Sequence, residues 1–477
     1  MQTDSKLQSF INNPNISLWK LTIPMAIGLF VNSIYILVDT YFLGSMIGTS
    51  AISALGYVMP FYFIIMGITF GLSAGTTTMI AQYIGKQDKK RAELIAQNSI
   101  LMAFCFSIIV FTFIFFFGKQ LLSLQGIGLD TLNLALQYFY VMAYGSVFLI
   151  FSIFIRGILI GEGESMIPMW ALGSGTILNI ILDPFFIDYL GIKGAAYATI
   201  VSQVIVVSIF LYFIFVKKST YIKFYFSKLK FDFEIWKEIF HIGIPTSVSM
   251  LIMSIGLFIM NSIFIQDSHV AAYNLANRIE NFVSLTLIAL SSSQVTVLGM
   301  FYGAKRFDLI KPMVRYTLMW SVLIASFFSI IIYFFIEDIT PLFLTASSIE
   351  EIKMSDKAIK TTIQYFNIMI FVYPFIGVTM VSTRAMQAIG IAWPMMATAL
   401  FRVLILQCSM SYFFIKILNK DIWEDLEVAD FSAIYSVTNN LNKTTVIEED
   451  DIFLVISPGN EISIKSLTLS GGKNVEL

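Results

Sequence analysis

From residue 18 to residue 417 the chain is a succession of apolar blocks, most of them 20 or more residues long and nearly free of charge. About 20 apolar residues in a helix cross a ~30 Å hydrocarbon layer. A core helix of a soluble protein alternates apolar and polar faces, and these blocks do not. Eleven spans can be drawn, near 18–44, 52–84, 94–117, 133–160, 166–187, 191–216, 239–265, 271–301, 313–336, 359–383 and 391–417. Only 13% of the 477 residues are charged, against about a quarter in a soluble domain. The chain reads as an all-α polytopic membrane protein whose surroundings are the lipid bilayer. Residues 1–17 are polar and the first block is too long for the apolar region of a signal peptide, so insertion is expected to rest on uncleaved helices.

A net charge of −1 carries no basic balance, so no nucleic acid partner is expected. Cys105 and Cys408 lie inside apolar blocks, and His241 and His269 have no partner at ligand spacing. No structural metal, disulfide or cofactor is expected. There is no nucleophile–base pair and no phosphate loop, and the glycines of "GEGE" lack a strand–helix setting. The expectation is that the chain is not an enzyme.

Lysine and arginine cluster after the even-numbered spans: Lys86, Lys89, Lys90 and Arg91; then Lys217, Lys218, Lys223, Lys228, Lys230 and Lys237; then Lys305, Arg306, Lys311 and Arg315. The positive-inside rule puts those turns and the N-terminus in the cytoplasm of a multi-pass cell-membrane protein. The two halves also repeat. "LTIPMAIGLFVNSIYILVDTYFLG" parallels "IGIPTSVSMLIMSIGLFIMNSIFI", with Pro24 matching Pro245. Leu72 to Gly85 spans the same distance as Leu290 to Gly303, and "GILIGEGESMIPM" parallels "RAMQAIGIAWPMM". This is the pattern of two parallel six-helix repeats about an axis along the membrane normal, forming two lobes. The expected division is 1–216 as the first lobe, 217–238 as the connection, 239–418 as the second lobe and 419–477 as a polar tail. A twelfth helix is not recognisable after 417. The tail alternates like one or two β-strands around Pro458-Gly459, as a small β-containing module would.

Charge in the hydrocarbon costs roughly 2.5–3.5 kcal/mol per ionised group on the lenient insertion scale, so acids inside spans need a reason. Asp39 lies late in the first span, and Asp183 lies in "ILNIILDPFFI". Asn179 is four residues before Asp183 and shares its face. Pro184 frees the carbonyl of Ile180. Ala195 and Thr199 are again four apart in the next span. Carboxylates, an amide oxygen, a hydroxyl and carbonyls together suit a small hard cation such as Na⁺, and a close carboxylate pair equally suits a proton. Pro24 sets a candidate kink in the first span. Met260 and Asn261 stand where Asp39 would repeat, so the first half reads as the ion-coupling lobe and the second as mainly substrate wall. Arg278, Glu280 and Gln387 are candidate polar groups of a cavity, Arg278 and Glu280 being too close in sequence to face each other on a helix. The 23 Met and 45 Phe residues fit an adaptable apolar cavity.

The segments "IPMAIGLFVNSIYILVDTYFLG", "AGTTTMIAQYIGKQDKKRAE", "ILNIILDPFFI…GIKGAAYAT", "GIPTS…AAYNLANRI" and "RAMQAIG" resemble the multidrug and toxic compound extrusion (MATE) family, its archaeal and bacterial branches most, over residues 15–417. The resemblance implies a monomeric transporter of two six-helix lobes in a V, exporting amphipathic or cationic small molecules against H⁺ or Na⁺. It implies a first-lobe cation site of Asp39, Asn179, Asp183 and Thr199, a backbone carbonyl at Ala195, and Tyr138 near the site. Pro24 would be where the first helix bends, and Glu162 a structural residue. The acid that some relatives have in the seventh helix is missing, which speaks against an ion site in the second lobe. Two other readings stand beside the exporter: a lipid-linked oligosaccharide or lipid flippase of a related class, for which Arg156, Arg278, Arg384 and Arg402 are the available cations, and an inactive or altered-terminus paralogue.

Overall fold

The computed structural model describes residues 2–125, 128–224, 230–263, 267–340 and 349–412, together with four strands between 445 and 475. Two compact units result, Met1–Met410 and Ser411–Leu477.

The first unit is helical. A short helix α1 (Gln2–Asn12) precedes α2 (Pro14–Met46), α3 (Thr49–Gly85), α4 (Lys89–Ser123), α5 (Leu129–Gly161), α6 (Met166–Leu190) and α7 (Ile192–Leu211), which ends in a wide π-type turn at Tyr212–Val216. The second half holds α8 (Phe233–Ile263), α9 (Asp267–Gly303), α10 (Phe307–Ile339), α11 (Ile349–Ala388) and α12 (Trp393–Ala399), the last continuing through a π-type stretch, Leu400–Cys408. Among the described residues ten helices are long and apolar enough to cross a membrane, and the eleventh expected span is a shorter apolar helix, Trp393–Cys408. Most run well beyond the roughly 20 residues a bilayer requires, so they tilt or project past it. Phe113, Phe116, Phe327, Phe334 and Phe371 are exposed on the outside, a surface suited to lipid and not to water.

Local chemistry sets the helix boundaries. The Asp88 carboxylate accepts from the Arg91 amide at 3.0 Å and starts α4. Gly191, at a φ of +60°, makes the one-residue turn between α6 and α7. Asp232 accepts from the amides of Glu234 and Ile235 at 3.1 and 3.4 Å, so α8 begins at Phe233. The connection between the halves is therefore shorter than the 217–238 expected. It is fastened to the first lobe at several points. Asn98 bonds the Lys230 carbonyl and the Asp232 amide, at 3.1 and 3.0 Å, and the Ile222 amide donates to Glu162 at 2.9 Å.

Two prolines inside helices leave carbonyls that neighbouring helices satisfy. Pro24 cannot donate to the Lys20 carbonyl, and the Ser165 hydroxyl does so at 3.1 Å. Pro374 leaves the Ile370 carbonyl, which takes the Ser329 hydroxyl at 2.7 Å.

Helices α2–α7 and α8–α12 form two lobes that meet reciprocally, α3 against α8 and α2 against α9. The matched glycines of the sequence repeat lie at this seam. A Cβ on Gly85 would strike the Met300 carbonyl, and one on Gly303 would strike the Gln82 carbonyl. Each helix of the pair thus needs its glycine for the other to pass, as a two-fold axis between repeats requires. Further inter-lobe bonds lie at the end that carries the basic turns: Gln82 Nε2 to the Ala388 carbonyl at 2.8 Å, Thr296 Oγ1 to the Ile160 carbonyl at 3.0 Å, and Trp19 Nε1 to Tyr316 Oη at 3.1 Å.

In the second unit, β1 (Thr445–Glu449), β2 (Ile452–Ile456), β3 (Ile462–Leu469) and β4 (Lys473–Val475) pair antiparallel in sequence order. The alternation predicts one or two strands; four form, because the acidic Glu448-Glu449 end of β1 and the three-residue β4 are too short or too polar to read as strands. The place of an expected twelfth helix, 413–444, lies outside the described residues.

Candidate ion-coupling site

Asp39 and Asp183 each stand seven residues before the ends of α2 and α6. Thr199 stands seven residues into α7, Ala195 three, and Tyr138 nine into α5. At 1.5 Å per residue Asp39, Asp183 and Thr199 lie about 10 Å inside the helix ends opposite the basic turns, with Ala195 about 4.5 Å and Tyr138 about 13.5 Å inside those ends. The helices are neighbours: α2 packs on α6, α6 on α7, and α7 on α5. All five side chains are buried.

At this site the Asn179 amide donates to Asp183 Oδ1 at 3.2 Å, the contact their spacing of four predicts. Asp183 lies within electrostatic range of Asp39. Three oxygens are buried without a hydrogen-bond partner: Asp39 Oδ1, Asn179 Oδ1 and Asp183 Oδ2. Buried polar atoms are nearly always satisfied, so three orphans on two packed helices make a donor set suited to a cation. Hard oxygens of this kind fit Na⁺, and the paired carboxylates fit a proton. Tyr62 on α3, which the sequence does not single out from the surrounding aromatics, also lies within electrostatic range of Asp39. A cavity of about 30 Å³ beside it, lined by Phe139 and Ser146 among others, has room for about one water.

Pro24 is buried in α2, which remains helical through it. It lines a cavity of about 630 Å³ with Trp19, Lys20, Glu164 and Tyr316.

The second-lobe candidates separate. Arg278 is exposed. Glu280 Oε1 accepts the hydroxyls of Tyr365 and Tyr373 on α11, at 2.9 and 3.2 Å, and Arg402 lies within electrostatic range. Tyr273 on α9, whose hydroxyl accepts from Gln407 at 2.9 Å, meets the Tyr365 ring edge-on. The second lobe is thus more than an apolar wall. Two tyrosines eight residues apart, on one helix face, were the signal available for this cluster. Gln387 is 1% exposed and is an inter-lobe contact, donating to Thr78 Oγ1 at 3.3 Å, rather than a group lining a cavity. The Asn261 side chain lies outside the described residues.

A comparison with known families decides what this arrangement belongs to: residues 24–185 and 245–413 match the MatE family. The chain belongs to the MatE family. The two matched segments fall one in each lobe, on either side of the connection between them. Among the relatives of this MatE chain, the probable multidrug resistance protein YoeA of Bacillus subtilis is 24% identical over 398 residues, covering 79% of this chain and 83% of YoeA. The multidrug export protein MepA of Staphylococcus aureus is 27% identical, covering 64% of this chain and 68% of MepA. A solved structure described as the outward-facing conformation of a multidrug resistance MATE family transporter superposes with a TM-score of 0.79 at 27% identity, covering 83% of this chain and 88% of that one.

Proposed function

We propose that this MatE protein is a secondary active exporter that moves amphipathic or cationic small molecules out of the cell in exchange for inward H⁺ or Na⁺. The observation that carries the reading is the set of three unpartnered oxygens of Asp39, Asn179 and Asp183, buried in one lobe of a membrane protein. Two carboxylates at close range in a medium of low dielectric repel each other, and a cation or a proton between them removes that repulsion. Thr199, the Ala195 carbonyl and Tyr138 are the further candidate groups on the neighbouring helices α7 and α5. Occupancy of the site changes the charge held by α2, and α2 contacts both lobes. Ion binding is thereby linked to the lobe interface, along which Pro24 supplies a point of bending. By the positive-inside rule the basic turns and the N-terminus are cytoplasmic, which supports an ion site nearer the outer face.

The test is efflux of a fluorescent organic cation from liposomes, with pH and Na⁺ gradients imposed separately, for the native chain and for Asp39→Asn and Asp183→Asn. The expected result is gradient-driven export that both substitutions abolish, the productive gradient naming the ion. Export that survives both substitutions removes the site from the mechanism.

A further inference from the structure

Arg156 and Arg384 are cations inside membrane-spanning helices, one from each lobe, and the ion-coupling reading uses neither. Both stand near the basic-turn end, Arg156 five residues before the end of α5 and Arg384 four before the end of α11. Their positions converge on one stripe of α3. Ser73 and Thr77 of α3 donate to the carbonyls of Ile153 and Gly157 at 2.9 and 2.8 Å, which brackets Arg156 at that height. The Arg156 guanidinium lies over the Phe70 ring, 5.1 Å from its centroid. From the other lobe, Arg384 Nη1 donates to Gln387 Oε1 at 2.8 Å, and Gln387 Nε2 reaches the Ala74 carbonyl at 3.5 Å and Thr78 Oγ1 at 3.3 Å. Phe70, Ala74 and Thr78 are spaced by four and share a face. One turn, about 5.4 Å of rise, separates Phe70 from Ala74.

Phe70 and Ala74 are the accessible part of that stripe. They are partly exposed, whereas residues 71–73 and 75–80 are buried; Arg156 and Arg384 are partly exposed too. The two guanidinium groups therefore approach one accessible strip of α3 from the two lobes. Among the described residues no carboxylate lies within salt-bridge distance of either, and no acidic side chain acts on either electrostatically. The partners they do have, a ring face and an amide oxygen, satisfy only part of a guanidinium's five donors. Charged groups inside a membrane are paired or line a path for something charged. Guanidinium forks match carboxylate and phosphate oxygens, binding them with short charge-assisted hydrogen bonds.

We propose that Arg156 and Arg384 form a binding site for an anionic group, a carboxylate or a phosphate carried by an amphiphile, at the basic-turn end of the seam where both lobes meet α3. Placing it on the transport path rests on the exporter reading; the site itself does not. The acidic head lies between the two guanidinium groups and its apolar body runs along Phe70. Because the two arginines belong to different lobes, the bound anion bridges them.

The test is equilibrium binding with no gradient, in nanodiscs of phosphatidylcholine alone. Two fluorescent amphiphiles identical but for the head, a free carboxylate and its methyl ester, are titrated against the native chain, Arg156→Gln, Arg384→Gln and Asp39→Asn. The native chain is expected to bind the acid at least tenfold more tightly than the ester. Each arginine substitution is expected to weaken acid binding about tenfold, as loss of one charge-assisted bond does, while ester binding and thermal unfolding stay unchanged. Asp39→Asn is expected to keep the preference, so failure of the ion-coupling reading shows separately in the transport assay. Nanodiscs with phosphatidylglycerol identify the source of the anion. A phosphatidylglycerol molecule that stays bound in native mass spectrometry, is lost in both arginine variants and is displaced by the acid supports a lipid headgroup as the ligand. Acid binding that phosphatidylglycerol does not compete supports a free acidic amphiphile. Equal binding of acid and ester by the native chain overturns the proposal, as does a preference that survives both arginine substitutions.

Discussion

Ser165 is a test of how α2 tolerates its internal proline. The Lys20 carbonyl would ordinarily receive the amide of residue 24, which proline lacks. The Ser165 hydroxyl supplies the missing donor at 3.1 Å from the turn before α6, and it is 2% exposed. The same hydroxyl does not cap its own helix; Glu164 does, accepting from the Met166 and Ile167 amides at 3.0 and 3.4 Å. Ser165→Ala therefore leaves one carbonyl without its donor and changes little else, a loss of about 1–3 kcal/mol. In a Pro24→Ala background the backbone amide at position 24 is restored to that carbonyl, and the same serine substitution is expected to cost under about 0.5 kcal/mol. The coupling in the double-mutant cycle is then about 1–2 kcal/mol, with any general effect of removing the proline cancelling. Unfolding by sodium dodecyl sulfate in mixed micelles, followed by tryptophan fluorescence, measures all four proteins. An equal cost for Ser165→Ala in both backgrounds refutes the reasoning, since the serine would then not be serving the carbonyl that the proline leaves.

Gly303→Val introduces a branched side chain where even a Cβ meets the Gln82 carbonyl; it is expected to destabilise the protein by about 1–3 kcal/mol or more by overpacking the lobe interface, read by the same unfolding assay. Asn179→Ala removes an unpartnered oxygen and the donor that orients Asp183, and is expected to raise roughly tenfold the ion concentration giving half-maximal export, read in the liposome assay. Glu162→Ala releases the Ile222 amide, and is expected to speed cleavage by trypsin at Lys217 and Lys218 while leaving ester binding in nanodiscs unchanged. Tyr373→Phe removes one of two donors to Glu280, with an expected loss of about 1–2 kcal/mol in stability that Glu280→Gln partly relieves.

What the sequence reveals and what it conceals differ by the distance between the partners. Asn179 and Asp183 are four residues apart, so helical geometry alone puts them on one face. The matched glycines at 85 and 303 are visible because a repeat forces the same close crossing twice. Helix α8 starts earlier than its apolar run suggests because its start depends on Asp232, a single capping carboxylate in a stretch with charged residues on both sides. Gln387 reads as a cavity residue because a polar residue in an apolar run has two fates, facing water or facing another helix. Only packing against Thr78, more than 300 residues away, chooses between them. Glu280 has no partner legible in the sequence for the same reason: its tyrosines lie on α11, and no spacing within α9 points to them.

The contrast between Glu280 and the first-lobe acids gives the lobes different work. Glu280 already accepts two hydroxyl hydrogens and has Arg402 in range, so it has protein partners without a bound ion. Among the described residues Asp39 and Asp183 have one side-chain bond between them, from Asn179, and three orphaned oxygens with that amide. A site that is complete without a ligand gains little from binding one, whereas an incomplete site gains the full satisfaction of its oxygens. In the proposed exchange a coupling ion has its largest effect where the protein supplies the least, which points to the first lobe. The energy so gained can alter the lobe interface only through a helix that contacts both lobes. Helix α2 meets this condition: it carries Asp39 near one end, and near the other Trp19 bonds Tyr316 of the second lobe, with Pro24 between them.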